Sequence, residues 1–125
     1  MKAKLQASRA ILYETTRFVD IYKSYEAILK ERKLTPEERA EYKKYSKYAD
    51  MFTPVLKMMA SEYCNQNAYD AIQVHGGSGY MKEYPVERLY RDSRAMWLEE
   101  GTPTVQRITI ARSCQKYNGQ MDYIF

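Results

Sequence analysis

The stretch "AIQVHGGSGYMKEYPVERLYRDSRAMWLEEGTPTVQRITIAR", residues 71–112, is punctuated twice. Gly76, Gly77 and Gly79 follow directly on a helical pattern, and Glu100-Gly101-Thr102-Pro103 follows the next one. Between the two breaks, Val86, Leu89, Tyr90, Ser93 and Trp97 share one helical face, while Glu87, Arg91, Asp92 and Arg94 lie opposite. A helix is therefore predicted from Pro85. After the second break Thr102 suits the N-cap and Pro103 the first helical position. Val105, Ile108 and Ala111 should then face inward, and Asn118-Gly119 should end the helix. No segment alternates with period two, so no strand is expected.

The chain upstream reads the same way. From about Lys2 to Arg32, Leu5, Ser8, Ile11, Leu12, Thr15, Phe18, Val19, Tyr22 and Tyr25 recur at steps of three and four. No Gly or Pro breaks this segment. It has no obvious cap at its start, which suggests an artificial beginning. The next helix opens at "LTPEER", with Thr35 as N-cap, Pro36 at the first position and Glu38 completing a capping box. Tyr45, Ala49, Phe52, Leu56, Met59 and Tyr63 form its apolar stripe. Pro54 interrupts that stripe and removes the donor for the carbonyl of Asp50, so a kink is expected there rather than a stop. The pattern resumes through Ala68, Ala71 and Ile72. Four helices with short connections predict an all-α fold, an antiparallel four-helix bundle occupying residues 1–125 as one domain.

Composition narrows the functional classes. The chain has 125 residues, 45% hydrophobic with 13 tyrosines among them, and a net charge of +4. A mean hydropathy of -0.68 and the lack of a long apolar run exclude a membrane span. No basic block with interleaved aromatics favours nucleic acid. Cys64 and Cys114 fit no metal or redox spacing, so no metal site is expected. A signal-peptide core is also missing, and a cytoplasmic location follows as the expectation.

Two loops could carry chemistry. The glycines at 76–79 serve either as a helix stop or as bare backbone that lets a large ligand approach. The turn at 99–103 serves either as a capped helix start or as a carboxylate presented on a glycine hinge, beside free N–H groups that favour an anion. His75, the only histidine, reads more simply as a satisfied helix-end residue than as a base.

Taken in order, "QVHGGSGY", "YPVERLYRD" and "EGTPTVQ" resemble the C-terminal signature of the acyl-CoA dehydrogenases: a Q-x-x-GG-x-GY loop, a YPVE-x-x-x-RD helix and an EGT-x-x-x-Q turn. The resemblance is strong after residue 70 and weak before residue 50. It implies an FAD-dependent enzyme that oxidises an acyl-CoA to a trans-2-enoyl-CoA. Gln73, Gly76 and Gly77 would approach the FAD, often across a subunit interface, where a side chain would block the cofactor. Thr102 would contact FAD at the helix N-terminus. Glu100 would be the base that takes the α-proton while the β-hydrogen leaves as hydride, and Gly101 would let the backbone set that carboxylate against the substrate. The family commonly carries Ser or Asn, then Glu, Gln or Gly, after its EGT. Here Pro103 and Thr104 stand there, so the cofactor contact at the second position falls to Thr104.

Enzymes of this family are several times longer, with an N-terminal helical domain and a β-domain. The chain therefore reads as part of a longer flavoenzyme of fatty acid metabolism, the expected partners aside from acyl-CoA being an electron-transfer protein and further copies of itself. On its own it should bind FAD poorly and be inactive. The competing expectation is a non-catalytic helical interaction module that retains the family fold.

Overall fold

The structure, a computed structural model, describes residues 1–116. The helix stop expected at Asn118-Gly119 lies outside them. Four α-helices follow one another: α1 (Lys2–Glu31), α2 (Pro36–His75), α3 (Val86–Leu98) and α4 (Pro103–Lys116). A short 3₁₀ turn, Gly76–Tyr80, separates α2 from the loop before α3. No strand occurs among the described residues, as the sequence predicts.

Helix α2 is the hub, and α1, α3 and α4 each pack mainly against it. The predicted bundle is thus built as three helices on a central one, rather than as a closed ring of four. Helix α1 runs antiparallel to α2. Lys4 Nζ pairs with Asp70 Oδ2 at 3.5 Å near one end, and the Tyr25 hydroxyl donates to Glu41 near the other. The centre of this pair is aromatic. Phe18 is buried, with ring centroids at 5.2 Å from Tyr48, 5.3 Å from Phe52 and 6.2 Å from Tyr45. Helix α3 is also antiparallel to α2. Asn65 Nδ2 donates to Ser93 Oγ at 3.2 Å, and Lys57 Nζ donates to the Met96 carbonyl at 2.5 Å. Lys57 thereby places a cation on the free carbonyls at the end of α3, the polarity that the helix dipole favours.

The start of α2 is as the sequence predicts. Glu38 N–H donates to Thr35 Oγ1 at 3.2 Å, and Thr35 N–H donates back to Glu38 Oε2 at 2.9 Å. Arg32 adds two hydrogen bonds to the same carboxylate, at 2.8 and 2.6 Å. Arg32 and the Thr35 backbone together hold the Glu38 carboxyl down to about 2. A depressed pKa stabilises the fold above the unfolded value and loses that contribution as pH falls. The Glu38→Gln variant should therefore unfold at lower urea than the parent at pH 7, and the gap should close as pH drops from about 4.5 toward 2. A gap independent of pH would mean that the charge is irrelevant to the cap.

Pro54 lies within α2, buried, and the helix continues through it to His75. The expectation for α4 needs correction. Val105 and Ile108 are 50% and 48% exposed, and Ala111 is exposed as well. The inward positions are Pro103, Gln106, Ile110 and Ser113, which keep the three-and-four spacing one face over. The apolar residues of α4 are spread around its circumference, so hydropathy alone selects no face. Seating of buried Pro103 and of Gln106 selects it instead.

Much apolar surface remains open. Leu5, Leu12 and Leu89, all at positions with inward spacing, are 53%, 41% and 58% exposed. The accessible area is 9184 Å², against roughly 7,000 Å² for a compact monomer of this mass. The buried apolar core is confined to Phe18, Ala49 and Val86 among the described residues.

Candidate functional site

The turn between α3 and α4 has two consecutive residues at positive φ. Glu99 is extended (φ -69°, ψ 150°), and then Glu100 and Gly101 both take positive φ, +52° and +99°. Glu100 is the only non-glycine residue with positive φ among the described residues. That conformation costs an L-residue roughly 1–2 kcal/mol. Gln106, in the first turn of α4, holds it: its Nε2 donates to the Glu100 carbonyl at 3.0 Å and to the Gly101 carbonyl at 3.4 Å. Gly101 is required by its backbone, and a side chain there would also push Gln106 aside. Its φ disfavours any side chain, and a Cβ there would stand 2.7 Å from Gln106 Nε2. Thr102 caps α4 only loosely, with Val105 N–H at 3.5 Å from its Oγ1. Its hydroxyl therefore keeps capacity for another partner.

Glu100 lines a cleft of about 390 Å³. Val19 and Tyr22 of α1, Ala49, Asp50, Thr53, Pro54 and Lys57 of α2, and Gln106 and Thr109 of α4 complete its walls. The sequence explains why the cleft sits there. Pro54 supplies no N–H, so the α2 ladder is broken at the Asp50 carbonyl, and both residues belong to the wall. Thr104 is exposed on the first turn of α4.

The second group lies elsewhere. Gln73, His75, Gly76 and Gly77 are exposed where α2 ends. Along α2, Lys57 in the cleft wall and Gln73 are sixteen residues apart, which is roughly 24 Å of helix. Within one copy the structure therefore brings Glu100, Gly101, Thr102 and Thr104 together, and leaves Gln73, Gly76 and Gly77 at a distance from them. His75 behaves as the sequence suggests: its Nδ1 donates to the Ala71 carbonyl at 2.9 Å.

The three loop glycines have three different physical reasons. Gly76 has φ +58° and ψ -140°, a region that side chains avoid. At Gly79 a Cβ would meet the Ile72 carbonyl at 2.7 Å and His75 Cβ at 2.9 Å, because the turn folds back on α2. Gly77 has neither excuse. Its φ is not positive, and a Cβ would have nothing of this chain within 4 Å. Gly79→Ala should accordingly destabilise the chain by about 1–3 kcal/mol, whereas Gly77→Ala should leave the unfolding midpoint unchanged. Chemical denaturation followed by circular dichroism separates them, and equal losses would contradict this division.

Sequence reasoning left two residues without a role here. Gly79 was indistinguishable from its neighbours, since only the fold-back makes it essential. Gln106 stands in the EGT-x-x-x-Q spacing, and helical side chains lean toward the N-terminus, so its position over the preceding turn was a usable signal. On α3, Arg91 hydrogen-bonds Glu87 and draws its carboxyl below the usual carboxylate range. This pair fixes the solvent face of α3, away from the cleft.

Comparison with known proteins identifies a family. The chain is 49% identical over 75 residues to "Probable acyl-CoA dehydrogenase YngJ" of Bacillus subtilis (strain 168), covering 60% of this chain and 18% of that protein. It is 42% identical over 111 residues to the caffeyl-CoA reductase-Etf complex subunit CarC of Acetobacterium woodii, covering 89% and 23%. It is 45% identical over 62 residues to an acryloyl-CoA reductase (NADH) of Anaerotignum propionicum, covering 50% and 16%. The chain thus spans about a fifth of the length of these relatives. Residues 23–115 match the profile described as "Acyl-CoA dehydrogenase, C-terminal domain". With that match over most of its length, the chain belongs to the acyl-CoA dehydrogenase family, through its C-terminal domain.

Proposed function

We propose that residues 1–125 form the C-terminal helical domain of a longer FAD-dependent acyl-CoA dehydrogenase, and that Glu100 is its α-proton base. The observation that carries this reading is the turn itself: a glutamate at positive φ, clamped from behind and set in the wall of a cleft. An α-C–H beside a thioester is weakly acidic, so its removal needs a carboxylate held in line and shielded from water. Gly101 and Gln106 set the backbone of that carboxylate, and the missing domains would close the cleft over it.

The residues fit the cofactor. Gly77 keeps open space that its own chain does not use, and Thr102 has a weakly engaged hydroxyl at a helix N-terminus. Thr102 and Thr104 would hold the cofactor near the cleft. Gln73, Gly76 and Gly77, too distant within one copy, would hold it from a second copy in a homo-oligomer. When bound, FAD supplies the hydride acceptor that side chains cannot provide. An electron-transfer partner and a cytoplasmic location belong to the same proposal. No helix of the described residues is long and apolar enough to cross a membrane.

A second direction has its own support, since two of the relatives above are named as reductases. Run in reverse, a protonated Glu100 would deliver the proton to the α-carbon of an enoyl thioester. Product analysis after mixing with an acyl-CoA, and separately with an enoyl-CoA and reductant, distinguishes the two.

The cofactor half is tested in a full-length enzyme that carries this segment. Gly77→Ala should lower the flavin content of the purified protein while its helical signal stays at the parent level. Full flavin retention would remove the loop from the cofactor site. The isolated chain should show no tight binding when titrated with FAD, and stoichiometric tight binding would show a self-contained site.

A further inference from the structure

We propose that Gln106 is a positioning residue for Glu100, acting through the backbone of the turn rather than on substrate or cofactor; this rests on the reading of Glu100 as the base. Three observations carry it. First, both donors needed to tie down the turn come from one side-chain amide, Nε2 of Gln106, to the carbonyls of Glu100 and Gly101 at 3.0 and 3.4 Å. Second, those two residues are the ones in this turn with positive φ, and Glu100 is not a glycine, so the bonds act where the backbone is strained and has a tendency to relax. Third, the fit is tight: a Cβ on Gly101 would come within 2.7 Å of the same nitrogen. Gln106 is only partly exposed, while Glu100 is exposed. The clamp is thus seated in the wall, and the carboxylate stands free at its edge.

The chemistry of the amide is specific. Gln presents two N–H donors on one nitrogen. Glu at this position keeps the length but offers only acceptors, facing two carbonyl oxygens. Met keeps the length and removes all hydrogen bonding. Either change releases the Glu100 and Gly101 carbonyls, lets φ at Glu100 relax, and moves the carboxylate from its line of attack. Both Nε2 hydrogen bonds go to the turn carbonyls, so on this proposal affinity should be spared.

The test uses a full-length acyl-CoA dehydrogenase carrying this segment, as parent, Gln106→Glu, Gln106→Met and Glu100→Gln. Each is mixed anaerobically with an acyl-CoA over a range of concentrations, and flavin bleaching is followed. For both Gln106 variants the limiting bleaching rate should fall roughly 10- to 100-fold, the scale of a misplacement near 1 Å. Their flavin content and half-saturating substrate concentration should remain at the parent values. If both bleach at the parent rate while Glu100→Gln is slow, the positioning role is refuted and the base assignment stands. If Glu100→Gln also bleaches at the parent rate, the base assignment itself fails. Loss of flavin or a large rise in half-saturating concentration in both Gln106 variants would assign the residue to folding or binding and overturn the proposal.

Discussion

Glu100→Gln in a full-length parent should slow anaerobic flavin bleaching by an acyl-CoA roughly 100-fold or more, the usual scale for a missing general base, with flavin still bound. The substitution keeps size and hydrogen bonding and removes only the basic oxygen. Glu99→Gln should bleach close to the parent rate. The backbone separates the two neighbours: Glu99 is extended, with φ -69° and ψ 150°, and Glu100 turns to φ +52°. Their side chains leave the turn in different directions, and Glu100, not Glu99, lines the cleft. A parent rate for Glu100→Gln with a slow Glu99→Gln would move the base by one residue.

The second large effect concerns the fold. Phe18→Ala should destabilise the 125-residue chain by about 3–5 kcal/mol, which is comparable with the whole stability of a small domain. Phe18 is 6% exposed and meets three aromatic rings of α2. So small a core has no reserve to fill the cavity left by the ring. Leu12→Ala, at a site 41% exposed, should cost far less in the isolated chain. Urea unfolding with far-UV circular dichroism measures both. A loss below about 1 kcal/mol for Phe18→Ala, outside the usual range for a buried Phe, would mean that the α1–α2 pair is held by other contacts.

Local chemistry was the legible part of the fold. The Thr35–Glu38 box, the Pro36 start, the passage of α2 through Pro54 and the Thr102–Pro103 start of α4 all depend on residues within a turn of one another. Tertiary choice was less legible. For α4, Val105, Ile108 and Ala111 have the right spacing, but the face that packs is set by Pro103 and Gln106. Leu5, Leu12 and Leu89 also have inward spacing, yet this chain supplies too little neighbouring structure to cover them. The family was legible through the order of its motifs, and the candidate site follows from them as a proposal. What those motifs could not give was distance: nothing in the spacing shows that Gln73, at the end of α2, stands far from the cleft that Glu100 lines beside Lys57, nor that Gly76, Gly77 and Gly79 are glycine for different reasons.

The account rests on Glu100 meeting an acyl thioester beside a flavin. The direct measurement is a crystal structure of the full-length parent with FAD and a bound acyl-CoA. A Glu100 carboxylate oxygen should lie about 3 Å from the α-carbon, within the reach expected of a general base, with Gln106 still bonded to the Glu100 carbonyl. An acyl thioester seated in another cleft, with Glu100 turned to solvent, would contradict it.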